Sequence, residues 1–348
     1  SRSVVLWGLS GRVHSVVEER TPSVRAVVVS EPGDADRLQI VDRPTPVPEP
    51  DEVLVAVRAT SVNRPDVAQR QGRYPPPPGA GDILGLEVAG DVVEVGGDVT
   101  AWRPGDRVCG LVASGGYADY AAVHADVAIA LPADLPWEQA GGLTEVFSTA
   151  YDNLVVRGRL RAGETALIHG VASGVGTAAT QLAVRAGARV IGTASTQRKL
   201  DAACDLGAFA GIDYTTEDFV ERARELTDGR GVDVILDMVG GPYLQRNLDA
   251  LALEGRLVIV GTQGGTEAEL SLWQLMRRRL TVLGSTLRAR TVEQKAAVAA
   301  GMRTDVMPGF ADGSLRVVVD RVFRLDDIAA AHRALEAGDH IGKIVVLT

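Results

Sequence analysis

The sequence predicts an α/β chain in which a doubly wound parallel sheet is joined to a partly closed, mostly antiparallel β-barrel. Three observations carry this. Between residues 164 and 288, short apolar runs alternate with stretches of helical period, as in successive βαβ units. Between residues 25 and 123, short strands follow one another with turn residues between them. One strand-to-helix turn, His169-Gly170-Val171-Ala172-Ser173-Gly174-Val175-Gly176, is rich in glycine. The expected units are an extension over 1–23, a barrel unit over 24–148 and 289–348, and a parallel-sheet unit over 149–288. The extension carries Ser and Arg, but Glu18 and Glu19 break the acid-poor pattern of a transit peptide. It is expected to be disordered.

Taken in order, 26–29 reads as a strand, followed by a Pro- and Asp-rich surface segment to residue 51. Residues 52–62 alternate, with Val53, Val55, Val57 and Ala59 on one face, as in a half-buried strand. Asn63-Arg64-Pro65-Asp66 opens a short helix with proline in its first turn. Gln71 to Pro78 reads QGRYPPPP, a stiff loop carrying Tyr74. Strands are expected at 83–95, 106–111 and 117–123, and a linking helix at 137–155. From there the alternation gives strands at 165–168 and 188–193, a short one ending at Tyr214, then 232–239, 256–261 and 281–287. Helices fall between them at 197–206, 217–227 and 244–252. The helices 291–303 and 326–337 and the strands 315–322 and 343–347 are expected to rejoin the barrel.

Bulk properties exclude several functions. The 348 residues carry a formal net charge of −9, which argues against a nucleic-acid or anionic-membrane footprint. No apolar run approaches the roughly 20 residues of a membrane span. Two cysteines, Cys109 and Cys204, cannot form a disulfide framework or a four-cysteine zinc site. A reducing, cytoplasmic setting is therefore expected.

The glycine-rich turn carries the chemistry. Glycines let backbone approach a ligand closely, and free N–H groups at a helix start favour an anion. Ser173 is a natural N-cap, and Gly174-x-Gly176-x-x-Ala179 fits the dinucleotide-binding form between a buried strand and an amphipathic helix. The end of the next strand then sorts the cofactor. It reads Thr193-Ala194-Ser195-Thr196-Gln197-Arg198-Lys199, with no acid for a ribose 2′-hydroxyl. A hydroxyl followed by two cations suits a 2′-phosphate, so NADPH is the expected cofactor. All but three of the 36 basic residues are arginine, the exceptions being Lys199, Lys295 and Lys343. A lysine at this strand end is therefore unusual for the chain.

Three segments, 63–90 (NRPDVAQRQGRYPPPPGAGDILGLEVAG), 168–183 (IHGVASGVGTAATQLA) and 341–346 (IGKIVV), resemble the quinone oxidoreductase branch of the medium-chain dehydrogenase/reductase superfamily, near its zeta-crystallin-like members. The resemblance runs from about residue 25 to the end. It implies a Rossmann domain beside a GroES-like catalytic domain, with NADPH in the cleft between them. It places the phosphates at Ser173, Gly174 and Val175, and the 2′-phosphate at Ser195, Lys199 and Tyr214. The nicotinamide side would be lined by Asn63, Arg64, Asp66 and Thr149, and by backbone at Val239, Gly240, Gly261, Thr262, Gly284 and Ser285. Asn63 and Tyr74 would stand nearest the substrate, as the catalytic pair.

No metal is expected. Zinc alcohol dehydrogenases of the superfamily carry Gly-His-Glu where this chain has Gly85-Leu86-Glu87, and Asn63 stands in the region of the first zinc cysteine. Without a Lewis acid an alcohol is hard to oxidise, whereas a quinone accepts hydride readily. The expected activity is NADPH:quinone oxidoreduction. The alternative is reduction of an enone or enoyl thioester, which needs the same cleft and a proton donor. A non-catalytic RNA-binding role is disfavoured by the acidic balance and the lack of a basic–aromatic stripe. The resemblance also implies a homodimer, or a dimer of dimers, through the strand at 281–287.

Overall fold

The computed structural model describes residues 23–348. The expectation for the extension thus lies outside the described residues, apart from Ser23. The strands are β1 Ser23–Val29, β2 Leu38–Pro44, β3 Glu52–Val62, β4 Glu87–Val95, β5 Arg107–Leu111, β6 Tyr120–His124, β7 Ile129–Ala130, β8 Thr165–His169, β9 Arg189–Ala194, β10 Ala210–Asp213, β11 Val232–Asp237, β12 Leu251–Ile259, β13 Thr281–Gly284, β14 Val319–Arg324 and β15 Lys343–Leu347. The α-helices are α1 Arg64–Arg70, α2 Trp137–Ala140, α3 Thr144–Ala150, α4 Gly174–Arg185, α5 Gln197–Asp205, α6 Phe219–Glu225, α7 Leu244–Ala250, α8 Leu272–Arg278, α9 Val292–Gly301, α10 Met307–Ala311 and α11 Ile328–Ala337.

Six strands form one parallel sheet in the order β10-β9-β8-β11-β12-β13. That order reverses beside β8, which makes a crevice at the carboxyl ends of the strands, where ligands of open α/β sheets bind. The central strands β8 and β11 are buried along their whole length, each around a short apolar run, Ala166–Ile168 and Val234–Leu236. A second sheet runs β14-β15-β3-β4-β5-β7, with β6 also paired to β3. The C-terminal strands β14 and β15 thus belong to the barrel, and β15 pairs antiparallel with β3.

Several elements differ from the sequence reading: β12 begins at Leu251, inside the helix expected over 244–252, β4 begins at Glu87 rather than at 83, and β7, α8 and α10 were not expected. The surface segment before residue 51 contains β2, paired antiparallel with β1. Strand β2 lies in a two-stranded ribbon and has no buried residue, Ile40 included, so no apolar face marks it in the sequence. The helix expected over 137–155 is broken into α2, α3 and a π-helical stretch Tyr151–Arg157. Gly141 presses on β3, where an added Cβ would lie 2.5 Å from that of Ala59, so packing rather than helix propensity sets the break. The strand expected over 315–322 begins at Val319, because the chain first crosses Gln181 of α4, whose side chain bonds Arg316 at both main-chain groups.

The two lobes share one apolar core. Val146, Phe147 and Ala150 of α3 pack with Ala178, Ala179 and Leu182 of α4 and with Leu315 and Val317. The turn that follows β8 meets the barrel at the start of β15, where Ser173 bridges Gly342.

Candidate active site

The turn after β8 is built as the sequence requires. Ser173 caps α4 by accepting the Gly176 N–H at 3.0 Å, which leaves the first N–H groups of the helix free. At Gly176 a Cβ would stand 2.4 Å from the Gly170 carbonyl oxygen, so only glycine permits this close helix–strand approach. Ser195 follows β9 directly, and Tyr214 follows β10, which pairs with β9 through Asp213 and Ala194. Tyr214 donates its N–H to the Ala194 carbonyl at 3.2 Å. The structure therefore gathers Ser195, Lys199 and Tyr214 at one corner of the sheet. Lys199 donates through Nζ to the Gly338 carbonyl at 2.6 Å, and Arg198 donates to the Asp339 carbonyl. Both cations meet the C-terminal end of α11, where helix carbonyls are unpaired and attract positive charge.

The loops after β11, β12 and β13 complete this edge. Gln263 and Gly264 donate to the Met238 and Val239 carbonyls at 3.1 and 2.8 Å, which zips Val239–Gly240 to Gly261–Thr262. Asp237 anchors the pair by accepting the N–H groups of Val239 and Gly240 at 2.7 and 3.1 Å. Burial raises its pKa to about 6 despite these bonds. Asp237 was not singled out from sequence, although an acid closing the apolar run Val232-Asp233-Val234-Ile235-Leu236 was the available signal. Gly284 ends β13, and Ser285 accepts from Arg290 Nη2 at 3.0 Å, so its hydroxyl is already engaged.

On the barrel side the structure reassigns several residues. Asn63 is 7 % exposed, and both ends of its amide are taken. Nδ2 donates to Glu87 Oε1 at 3.0 Å, and Oδ1 accepts from Lys343 Nζ at 2.6 Å. Glu87, 1 % exposed, also accepts from the Ser61 hydroxyl, from Lys343 Nζ at 3.3 Å and from the Glu145 N–H at 2.8 Å. Asn63 is thus part of a buried lattice that ties β3, β4, β15 and the start of α3 together. Neither Glu87 nor Lys343 was proposed from sequence, since nothing local marks two charges 256 residues apart as partners.

Asp66 is fully buried and has no surface with which to line a cleft. Its Oδ2 accepts the Asn63 N–H at 2.8 Å and the Tyr117 hydroxyl at 3.1 Å, so it supports the turn from beneath. Behind Tyr117, His332 Nε2 lies 3.3 Å from the hydroxyl, and His332 Nδ1 lies 3.4 Å from Arg70 Nη1. A guanidinium can only donate, so Nδ1 must accept and Nε2 must carry the proton. Every hydrogen in this chain therefore points toward Asp66. Burial raises the pKa of Asp66 to about 6, and burial followed by Arg70 lowers that of His332 to about 3. Arg64 turns away to donate to the Leu335 carbonyl at 3.4 Å, at the end of α11 that Lys199 also meets.

Tyr74 is half-buried, with the Arg288 guanidinium 5.5 Å from its ring centre. Arg288 is held by the Ala113 carbonyl at 2.8 Å and by Gln69 at 2.6 Å, and its Nη1 has no partner among the described residues. Thr149 lies 3.5 Å from Glu145, whose pKa is raised to about 7 by burial first and Glu87 second. Burial therefore biases Glu145 toward its protonated form, which sequence alone gave no reason to expect.

The donor set does not fit a zinc ion. Leu86 is an apolar core residue, and the Cys109 thiol is pushed up to about 12 by burial. The ammonium of Lys343 already neutralises Glu87. Among the described residues no three His, Cys, Asp or Glu side chains are grouped to hold a metal.

Known proteins match this arrangement. Residues 49–133 match the alcohol dehydrogenase GroES-like domain, and residues 174–300 match the zinc-binding dehydrogenase model. The chain is 32 % identical to the quinone oxidoreductase of Lama guanicoe over 93 % of its own length and 97 % of that protein. The chain belongs to the quinone oxidoreductase branch of the medium-chain dehydrogenase/reductase superfamily. Within it, the solved structure of Escherichia coli quinone oxidoreductase complexed with NADPH superposes with a TM-score of 0.84 at 32 % identity, covering 93 % of this chain and all of that one. A mycocerosic acid synthase-like polyketide synthase of Mycolicibacterium smegmatis is 33 % identical over 92 % of this chain, which spans 15 % of that larger protein. The GroES-like and Rossmann lobes of the superfamily correspond to the barrel and the six-stranded sheet.

Proposed function

We propose that this protein is a zinc-independent NADPH:quinone oxidoreductase. The observation that carries the reading is the Lys343 ammonium seated between Asn63 and Glu87, which leaves neither side chain an open donor for a metal. Acceptors that need no Lewis acid remain, and quinones are the foremost of these. The Escherichia coli relative supports both the cofactor and the substrate class.

NADPH, when bound, supplies the hydride; the protein supplies position and exclusion of water. Ser173, Gly174 and Val175 would hold the pyrophosphate at the start of α4, and Ser195, Lys199 and Tyr214 the 2′-phosphate. The backbone at Val239, Gly240, Gly261, Thr262, Gly284 and Ser285 would line the nicotinamide side, with Thr149 across from it. Tyr74 offers a hydroxyl to a substrate oxygen, and burial biases Glu145 toward its protonated form. Asn63 acts through the turn it fixes.

Oxidation of NADPH by small ortho- and para-quinones, followed by absorbance, tests the reading. Absence of turnover with every quinone overturns it. The runner-up, an enone or enoyl-thioester reductase, is favoured by the polyketide synthase relative. Tyr74→Phe separates the two: loss of enone reduction with quinone turnover retained would favour the runner-up.

The proposed assembly is a homodimer through β13. This strand is an edge of the sheet, and the preceding helix α8 exposes Leu272, Trp273 and Met276 at 67, 68 and 71 %. An unpaired edge beside a bare apolar face is what a twofold partner covers. No described helix is long and apolar enough to cross a membrane, and both cysteines are free, which supports a reducing, cytoplasmic setting.

A further inference from the structure

Between α11 and β15 the chain forms a short strap, residues 338–342, that runs from one phosphate-binding feature to the other. At its start the Gly338 and Asp339 carbonyls are held by Lys199 and Arg198. At its end the Gly342 N–H donates to the Ala172 carbonyl at 2.8 Å, and Gly342 bridges to Ser173. Midway stands His340, 8 % exposed, whose Nδ1 is enclosed and has no hydrogen-bond partner among the described residues. A buried polar atom left unpaired is costly and calls for a partner that binds there.

The charges facing His340 identify that partner. Arg64 comes from α1, Lys199 from α5, Asp320 from β14 and Asp339 from the strap itself. The two acids are already paired with Arg321, at 2.7 and 2.6 Å. Among the described residues, Arg64 and Lys199 donate to the carbonyls of Leu335 and Gly338 and form no salt bridge, and the acid that Arg64 feels, Glu336, is already paired with Arg70 at 2.6 Å. What remains is two cations without a salt-bridge partner around an imidazole, next to the strand end proposed as the 2′-phosphate corner.

We propose that His340 is a ligand of the 2′-phosphate of NADPH, and that with Lys199 and Arg64 it makes both lobes contribute to the choice of the phosphorylated dinucleotide. This rests on the NADPH reading above. Without cofactor, burial, followed by Arg64, lowers the His340 pKa to about 4, so the ring is neutral near pH 7. A phosphate dianion beside it reverses the local field and favours the imidazolium. Binding of NADPH therefore takes up a proton at pH values above about 4 and below the raised pKa of the complex. NADH, which lacks the phosphate, does not.

The test is calorimetric titration of the full chain with NADPH and with NADH at about pH 6.5, in two buffers of different ionisation enthalpy. A 2′-phosphate has its second pKa near about 6. Docked only on fixed cations, it would shed its residual proton. Net proton uptake with NADPH and none with NADH is the expected result; net release with NADPH overturns the proposal. His340→Asn and His340→Gln should weaken NADPH by roughly tenfold or more, leave NADH within about twofold, and abolish the uptake. Unchanged NADPH affinity, or equal loss for both dinucleotides, overturns it as well. If either variant fails to fold, the buffer comparison on the unaltered chain decides alone. Equal affinity of the unaltered chain for NADPH and NADH would instead refute the NADPH reading itself.

Discussion

Removing the charge of Lys343 probes the lattice beneath the cleft most directly. The lysine and Glu87 side chains are 4 and 1 % exposed, so neither charge can fall back on water. Lys343→Met keeps the aliphatic stem that lies against Gly174 and deletes the ammonium. Glu87 would retain the Ser61 hydroxyl, the Asn63 amide and the Glu145 N–H, but lose its counter-ion; Asn63 Oδ1 would lose its donor. Removing one partner of a buried pair typically costs about 3–5 kcal/mol. With a urea dependence of about 3 kcal/mol per molar, the unfolding midpoint should fall by roughly 1–1.7 M. Glu87→Gln removes the charge left behind, so the double variant should be more stable than the sum of the single losses predicts, by about 2 kcal/mol. Urea unfolding followed by tryptophan fluorescence and circular dichroism measures all four proteins. Additivity within about 0.5 kcal/mol, or a cost below about 1 kcal/mol for Lys343→Met, would refute the reasoning.

Lys199→Ala should raise the NADPH dissociation constant by roughly 5- to 150-fold, the loss of one charge-assisted contact, and leave NADH nearly unchanged by fluorescence titration. Equal losses would contradict the assignment of this corner. Glu145 has its folded pKa raised to about 7 from an ordinary value of 4.5, and an acid raised on folding contributes stability at low pH that fades as pH climbs through that interval. Glu145→Gln should therefore gain in melting temperature relative to the parent between about pH 5 and pH 8; a difference that stays flat with pH would count against the protonated carboxyl. Trp273→Asp should shift the protein toward monomer in sedimentation at micromolar concentration, and an unaffected dimer would show that the face of α8 is not the contact.

Much of the architecture was legible because its signals are local. The buried strands β8 and β11 announce themselves by the apolar runs Ala166–Ile168 and Val234–Leu236, and β3 by alternation. The turn at Ser173–Gly176 combines a capping hydroxyl with a glycine that no other residue can replace at that approach. Sequence alone could not show that the side chains of Asn63 and Asp66 are buried. Their side chains are directed by partners at 87, 117 and 343, which sequence spacing does not reveal. Tyr117, His332 and Arg70 form one directional hydrogen-bond chain, yet they come from three segments far apart along the polypeptide.

The local pattern of residues was enough to locate most strands and helices, the glycine-rich turn capped by Ser173, and the lack of an acid at the end of β9. Each of these depends on neighbours a few residues away. The three-dimensional arrangement alone settled where the charges go: that Lys343 neutralises Glu87, that Arg64 and Lys199 converge on the end of α11, and that burial biases Glu145 toward its protonated form. Burial and through-space electrostatics set those outcomes, and both depend on which distant segments the fold brings within a few ångströms.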